Sequence, residues 1–260
     1  MEEKHLLYRV ENRIGYITIN LEPQGNAITV EAIQLFHEYL DQAEKDENVR
    51  VIQLTGTGEK SFCTGAQLGG VMKGGNTEGS VNRPSGYANL LDKLVRFPKP
   101  TVARVNGYCL AGGLGFMMAC DIAIAKEEAK FGAPEVNVGL WPLMIGALIF
   151  RNVLQKKAME MILLGERMTA QEALKMGLIT RVTTANNLDE ETGKILKKLA
   201  SLSPVGVRIG KQAYYDMATM PLKEALLFLS GKLGELALTE DAREGITAFM
   251  QKREPVFIGR

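Results

Sequence analysis

The sequence predicts an α/β fold with parallel strand pairing, followed by a helical C-terminal region. In the first half, β-rich segments such as Ile14–Ile19 and Val51–Thr55 alternate with amphipathic helical patterns. After Leu143 the chain has mainly helical patterns. With 260 residues, of which 46% are hydrophobic and 23% charged, the chain suits one large globular core or a core with a helical addition.

Turn and capping residues delimit the elements of the first half. The strand Ile14–Ile19 is followed by the chain breakers Pro23, Gly25 and Asn26. Thr29 can cap the next helix, because its hydroxyl can accept a hydrogen bond from a first-turn N–H group. The core face of that helix is predicted to contain Ile33, Phe36, Leu40 and Ala43. Further strands are predicted at Val51–Thr55, Thr101–Val105 and Asp121–Ala125.

The remaining segments are a loop and a series of helices. Residues 69–86 are rich in Gly, Asn and Ser, which is typical of a loop over a site or of a plain surface excursion. The segment Thr169–Glu172 is a capping box, and its helix is predicted to end near Gly177. Helical patterns fill Leu188–Ser201 and Val207–Met250.

Charge and cysteine content exclude several classes of protein. Lys and Arg number 31 and Asp and Glu 30, so bulk charge favours neither a nucleic-acid nor a membrane partner. The three cysteines, Cys63, Cys109 and Cys120, do not form a disulfide framework. The N-terminal residues lack the apolar core of a signal peptide, and no segment approaches the roughly 20 apolar residues of a membrane span. We therefore expect a cytoplasmic protein.

Two nucleotide-binding motifs are incomplete. The segment Gly56–Ser61 resembles the end of a P-loop, but Glu59 stands where the pattern needs glycine, and its carboxylate would repel phosphates. The segment Gly113–Gly115 resembles a dinucleotide fingerprint, but Met118 occupies the third glycine position. Neither pattern supports a nucleotide cofactor.

The sequence also does not support a hydrolytic triad or a histidine-based zinc site. The only histidines are His5, near the N-terminus, and His37, beside the core face of a helix. Structural roles are predicted for both, and we assign no metal ligands.

Two glycine-bearing loops form the strongest candidate site. The loops Phe62–Leu68 and Asn106–Gly115 each follow a predicted strand, and the second begins a helix. Small residues let a ligand approach the backbone, and a helix N-terminus offers free N–H groups. The two loops could therefore form an oxyanion hole. The alternative is that Ala111, Gly112 and Gly113 only permit close packing between helix and strand.

Glu135 is the candidate acid or base near these loops. It is the one carboxylate in the otherwise apolar segment Phe131–Leu140. A buried carboxylate there would have a raised pKa and could exchange protons near neutral pH. The alternative is a glutamate at a solvated turn.

From about Tyr8 to Phe257, the sequence resembles the crotonase, or enoyl-CoA hydratase/isomerase, superfamily. Six segments in order carry the resemblance: Phe-x-x-Gly-Ala at 62–66, Val-Asn-Gly-x-x-x-x-Gly-Gly at 105–113, Ala-Cys-Asp-Ile-Ala at 119–123, Phe-Gly-x-Pro-Glu at 131–135, Gly-Glu-x-x-Thr-Ala-x-Glu-Ala at 165–173 and Lys-Arg-x-Pro-x-Phe at 252–257. The resemblance implies a ββα spiral core over residues 1–200 and a helical trimerisation region over residues 201–260. It also implies a homotrimer or a dimer of trimers.

The resemblance further implies an acyl-CoA substrate and a role for each site residue. Ala66 and Gly112 would donate N–H groups to the thioester oxygen, and Glu135 would act as the catalytic acid and base. No separate cofactor is implied, because coenzyme A is part of the substrate. The implied substrate-binding positions are Thr64, Gly65, Gln67, Leu68, Gly113, Gly115, Trp141, Phe249 and Lys252.

Some positions depart from the family pattern. Family hydratases use a pair of glutamates, and Gly115 stands at the place of the first. Gln67 replaces a common Asp, and Leu143 replaces the Asp of the dienoyl isomerases and chlorobenzoyl dehalogenases. A glutamate introduced at 115 is expected to be crowded by Leu114 and Phe116. Two interpretations stay open: an enolate-stabilising enzyme that isomerises or hydrates an enoyl-CoA, and a CoA-thioester-binding protein with weak or no catalysis.

Overall fold

The computed structural model describes residues 4–66 and 86–260. The predicted site positions Gln67 and Leu68, and the predicted loop up to residue 85, lie outside the described residues. The strands are β1 (Leu6–Glu11), β2 (Ile14–Ile19), β3 (Val51–Gly56), β4 (Ser61–Cys63), β5 (Thr101–Val105), β6 (Tyr108–Leu110), β7 (Ile122–Lys126), β8 (Lys130–Gly132), β9 (Met168–Thr169) and β10 (Arg181–Thr183). The α-helices are α1 (Val30–Lys45), α2 (Gly86–Val95), α3 (Gly112–Ala119), α4 (Leu143–Asn152), α5 (Gln155–Leu164), α6 (Ala170–Met176), α7 (Leu188–Ala200), α8 (Pro204–Met217), α9 (Leu222–Ala237) and α10 (Glu240–Met250).

The strands form two sheets that are mostly parallel. The larger has the order β1-β2-β3-β5-β7-β10 and is parallel except for the β1–β2 pair. The smaller has the order β4-β6-β8-β9, with only β9 antiparallel to its neighbour. Strand β3 is buried along its whole length, as expected for a parallel sheet covered on both faces. The predicted α/β fold with parallel pairing is confirmed.

Helix α1 forms for the predicted reasons. The Thr29 hydroxyl accepts a hydrogen bond from the N–H of Ala32 at 3.0 Å and satisfies one otherwise unpaired donor of the first turn. Phe36, Leu40 and Ala43 are buried in the core, and Ile33 is partly buried against it. The side chains of one helical face therefore fix α1 against the sheet.

The helices of the C-terminal half follow the predicted patterns. The capping box between Thr169 and Glu172 is confirmed, and α6 ends at Gly177 in a left-handed conformation. The predicted helical patterns over Val207–Met250 are confirmed, and three helices account for them. Pro221 begins the second, since its ring fixes φ and it lacks an N–H group, and Thr239 caps the third.

Two buried asparagines fix the end of β3 next to the start of β4. The Nδ2 of Asn106 donates to the carbonyl oxygens of Gly56 and Gly58 at 3.0 and 2.6 Å. The Nδ2 of Asn26 donates to the carbonyl oxygen of Ser61 at 2.7 Å. Because both amides are fully buried, these bonds satisfy groups that would otherwise be costly to bury, and they fix the strand that leads into the first glycine loop.

The C-terminal helices are connected to the core by charged groups. Lys211 on α8 forms an ion pair with Asp121, whose carboxylate also accepts from the backbone N–H of Thr101 at 2.7 Å. Buried Asp241 accepts from the N–H groups of Ile258 and Gly259 near the C-terminus. Within residues 4–66 and 86–260, no helix is long and apolar enough to cross a membrane.

Candidate active site

The two glycine loops leave neighbouring parallel strands, β4 and β6, and meet each other. Gly65 has φ +97°, a conformation that L side chains rarely adopt. A Cβ placed on Gly65 would lie 2.7 Å from the Ala111 Cβ and 3.2 Å from the Gly112 nitrogen. The chain therefore needs glycine here, because a side chain would separate the loops. The two loops lie next to each other, and their predicted convergence on one carbonyl oxygen stays a prediction.

Ala111 connects β6 to α3 in a strained conformation. Its φ of 48° and ψ of −126° lie outside the regions that L-residues favour. Its N–H donates to the carbonyl oxygen of Gly132 at 3.0 Å, and its own carbonyl oxygen accepts from the N–H of Leu114 at 2.9 Å. These bonds hold the chain so that α3 begins at Gly112, immediately next to the first loop.

Among the residues that the structure describes, no backbone hydrogen bond is donated by the N–H of Ala66 or of Gly112. Ala66 follows Gly65 in the first loop. The carbonyl oxygen of Gly65 accepts a hydrogen bond from the Ile28 N–H at 2.8 Å, and this bond fixes the position of the loop. Gly112 is the first residue of α3, where N–H groups have no partner within the helix. Each of the two neighbouring loops thus has a backbone donor of the kind that an oxyanion hole requires, and the role of these donors stays a prediction.

The glycines at the start of α3 also serve packing. A Cβ on Gly113 would lie 2.1 Å from the carbonyl oxygen of Cys63, so this residue allows α3 to rest on β4. A Cβ on Gly112 would lie 2.9 Å from the Ile28 Cδ1. Close packing and ligand approach were alternatives for these residues, and the structure shows the packing directly at Gly113. Its contact with substrate stays a prediction.

Glu135 lies in a short 3₁₀ helix, Pro134–Val138, after β8. Asn137 fixes this turn by donating to the carbonyl oxygen of Gly165 at 3.0 Å. The Oε2 of Glu135 is buried and has no hydrogen-bond partner among the described residues. Burial raises the pKa of Glu135, although a hydrogen bond from its own backbone N–H opposes the shift. The group is thus a partly buried carboxylate with one oxygen available, as a proton-transfer base requires.

The position of the absent glutamate is filled by other side chains. A Cβ on Gly115 would lie 2.4 Å from the Tyr87 hydroxyl and 2.6 Å from the Ile145 Cγ2. Leu114 and Phe116, which were expected to crowd a side chain at 115, are buried in the core, and their effect on such a side chain stays a prediction. No carboxylate fits at 115 unless Tyr87 and Ile145 move.

The other predicted substrate-binding residues lie in different surroundings. The Thr64 hydroxyl donates to the carbonyl oxygen of Gly25 at 3.1 Å, so Thr64 anchors its loop to the preceding turn. Trp141 is 39% exposed in an apolar surface segment after the Glu135 turn. Phe249 is 85% exposed on α10, and Lys252 lies two residues after the end of that helix with φ 54°. Contacts of these residues with coenzyme A stay predictions.

Both histidines have structural partners. The Nδ1 of His5 lies 2.9 Å from the Thr29 hydroxyl oxygen, and the Nε2 of His37 lies 3.3 Å from the carbonyl oxygen of Gly86. One contributor to the site, Tyr87, was missed from the sequence, and Ala111 was named only for packing and not for its strained backbone. Tyr87 lies at the end of the Gly-rich segment, and no motif identifies it. The positive φ of Ala111 could not be predicted either, because alanine as a residue type does not indicate it.

Comparison with known proteins assigns this fold and site to a family. The sequence profile of the enoyl-CoA hydratase/isomerase family matches residues 9–260. The short-chain-enoyl-CoA hydratase of Clostridium acetobutylicum is 33% identical, with coverage of 98% of this chain and 97% of the relative. The (E)-benzylidenesuccinyl-CoA hydratase of Thauera aromatica is 35% identical, covering 96% and 97%. A crystal structure of an enoyl-CoA hydratase from Bacillus anthracis superimposes with a TM-score of 0.91 at 31% identity, covering 98% of this chain and 100% of that chain.

The chain therefore belongs to the enoyl-CoA hydratase/isomerase family and is an acyl-CoA enzyme of the lyase or isomerase type. The resemblance stated from the six sequence segments is confirmed, and so is the crotonase-type fold. The division into a core over residues 1–200 and a trimerisation region over residues 201–260 stays a prediction.

Proposed function

We propose that this enzyme forms the enolate of an acyl-CoA thioester, with Glu135 as its single acid and base, and shifts the double bond of an enoyl-CoA. The observation that carries the proposal is the combination of a partly buried Glu135, whose Oε2 is unpaired among the described residues, with a Gly115 that has no room for a second carboxylate. One base suffices for moving a proton between two carbons. Hydration also needs a group that activates water.

The reaction begins when the thioester oxygen accepts hydrogen bonds from the N–H groups of Ala66 and Gly112. Ionised Glu135 removes a proton from the α-carbon, and the electron pair of that C–H bond forms the enolate, whose oxygen the two N–H groups stabilise. Protonated Glu135 then returns the proton to the γ-carbon. No net oxidation occurs, and no cofactor is needed beyond the coenzyme A of the substrate.

The preference between isomerisation and hydration tests the proposal. We expect the purified enzyme to convert a 3-enoyl-CoA into a 2-enoyl-CoA much faster than it hydrates crotonyl-CoA, with both followed by ultraviolet absorbance of the conjugated thioester. Rapid hydration of crotonyl-CoA would contradict the one-base mechanism. Tight CoA-thioester binding with neither reaction would instead support the alternative, a binding protein.

The surface of the C-terminal helices supports assembly into a homotrimer or a dimer of trimers. Large apolar side chains on α9 and α10 are exposed in the single chain: Leu222, Leu226, Leu227, Leu233, Ile246, Phe249 and Met250. Patches of this kind mark interaction surfaces. Light scattering should give a mass of three or six times 28.5 kDa, and a stable monomer at 28.5 kDa would contradict the assembly. Location in the cytoplasm remains part of the proposal.

A further inference from the structure

This inference rests on the proposed function and concerns Tyr87, on the first turn of α2. The Tyr87 hydroxyl donates a hydrogen bond to the carbonyl oxygen of Gly112 at 2.5 Å. Its ring packs edge-on against Phe116, with 5.2 Å between the ring centroids, and only 9% of the residue is exposed. The side chain is therefore held in one place beside the first turn of α3.

The Tyr87 hydroxyl lies over the face of α3 that Gly112 and Gly115 share, because residues three apart are neighbours on a helix. A Cβ on Gly112 would lie 3.3 Å from this hydroxyl, and a Cβ on Gly115 would lie 2.4 Å from it. The phenol thus fills the space in which a side chain of residue 115 would begin. That space adjoins the N–H group that we assign to the thioester oxygen.

The chemistry of Tyr87 differs from that of a carboxylate. Burial raises the pKa of Tyr87 well above its ordinary value of 10.0, and nearby groups that include Glu135 raise it further. The hydroxyl is therefore neutral near neutral pH and cannot act as a base. Its single proton is already donated to Gly112, so only its lone pairs remain for other partners. Tyr87 can position groups and exclude water, but it cannot activate water as a glutamate does.

We propose that Tyr87 is the specificity-determining residue of this site. Its ring keeps a nucleophilic water away from the Gly115 face, and its hydroxyl holds the first residue of α3 so that the Gly112 N–H stays directed at the thioester oxygen. Reprotonation of the enolate at the γ-carbon by Glu135 then gives the conjugated 2-enoyl thioester, whose β-carbon no water on the Gly115 face can attack. Tyr87 acts through Gly112 and is in this sense a positioning residue.

The role of the hydroxyl is tested with Tyr87→Phe, which keeps the ring. We expect the kcat for α-proton exchange of a saturated acyl-CoA in D₂O to fall about threefold to tenfold, the effect of one neutral hydrogen bond, while KM changes less. The rate is expressed per binding site, titrated with a non-reactive CoA thioether, so that a loss of folded protein does not lower it. Tyr39→Phe is the matched control, because the Tyr39 hydroxyl donates to the carbonyl oxygen of Leu6.

The role of the ring is tested with Gly115→Glu alone and together with Tyr87→Ala. Gly115→Glu alone should lower Tm and hydrate crotonyl-CoA poorly, because the new side chain collides with the phenol. The double variant should recover part of the Tm and hydrate at least about tenfold faster than either single variant, the lower end of what a positioned carboxylate contributes. Ile145 remains beside residue 115 in every variant, so the comparison isolates Tyr87.

Three results would overturn the proposal: wild-type kcat per site in Tyr87→Phe, wild-type Tm in Gly115→Glu, or a double variant that hydrates no faster than Gly115→Glu. The proposed function fails by a different result. If Glu135→Gln exchanges the α-proton at the wild-type rate, Glu135 is not the base, however the Tyr87 variants behave.

Discussion

Replacing the backbone N–H of Gly112 by an ester oxygen should lower turnover about a hundredfold or more. The exchange of glycine for glycolic acid removes one hydrogen-bond donor and adds no side chain. Loss of a single oxyanion donor typically costs on the order of a hundred- to a thousandfold in kcat, because the negative charge develops at that oxygen in the transition state. A side-chain variant is less informative here, since a Cβ on Gly112 would press on Ile28 at 2.9 Å.

The matched control is an ester at Ala32 in the first turn of α1. Its N–H donates to the Thr29 hydroxyl, so the control also removes a donor at a helix start, but at a different helix. Turnover per binding site is measured for both esters with the same acyl-CoA. We expect the Ala32 ester to lose stability and retain turnover. Equal turnover in the Gly112 ester and the wild type would show that this N–H does not stabilise the enolate.

Glu135→Gln should lower isomerisation by roughly a hundred- to ten-thousandfold and leave CoA-thioester binding nearly unchanged. Glutamine keeps the size and polarity of the side chain but cannot accept the proton. In the wild type, the rate should rise with pH as Glu135 ionises and level off above its raised pKa, because only the ionised form is a base. The variant should show no such rise. Glu38→Gln on the exposed side of α1 is the control.

The same substitution has a predictable effect on stability. Burial raises the pKa of Glu135 in the folded state. The contribution of Glu135 to the free energy of unfolding is therefore most favourable at a pH below its ordinary pKa of 4.5, and it is lost as the pH rises through the folded pKa. Glu135→Gln should therefore gain Tm relative to the wild type at neutral pH and gain less in acid. A gain that is larger in acid than at neutral pH would contradict the direction of the pKa shift.

Long, periodic elements of the fold could be predicted from the sequence. Helix α1 has a cap and an apolar face, and the strand Ile14–Ile19 coincides with β2 residue by residue. Strands β4, β6 and β8 were missed because each has only three residues, too few for a hydrophobic period to appear. Their positions depend on pairing with one another, which local sequence does not encode.

The motifs of the candidate site could be predicted from the sequence, but the residues that pack around them could not. Glycines that bring two loops together leave a recognisable pattern, and Gly65, Gly112 and Glu135 could be selected from it. The contact between Tyr87 and Gly115 joins residues 28 positions apart on two different helices, and only tertiary packing creates it. For the same reason, the contact of Ile145 with position 115 was not predicted, and only the chain neighbours Leu114 and Phe116 were named.

The most direct test of the central claim is α-proton exchange of a saturated acyl-CoA in D₂O, with deuterium incorporation measured by mass spectrometry. This reaction needs only the oxyanion hole and the base, so it requires neither the natural acyl chain nor water addition. The account predicts rapid incorporation of deuterium by the wild type and a loss of roughly a hundredfold or more in Glu135→Gln. Incorporation at the same rate in both proteins would show that another group removes the proton and would contradict the assignment of Glu135.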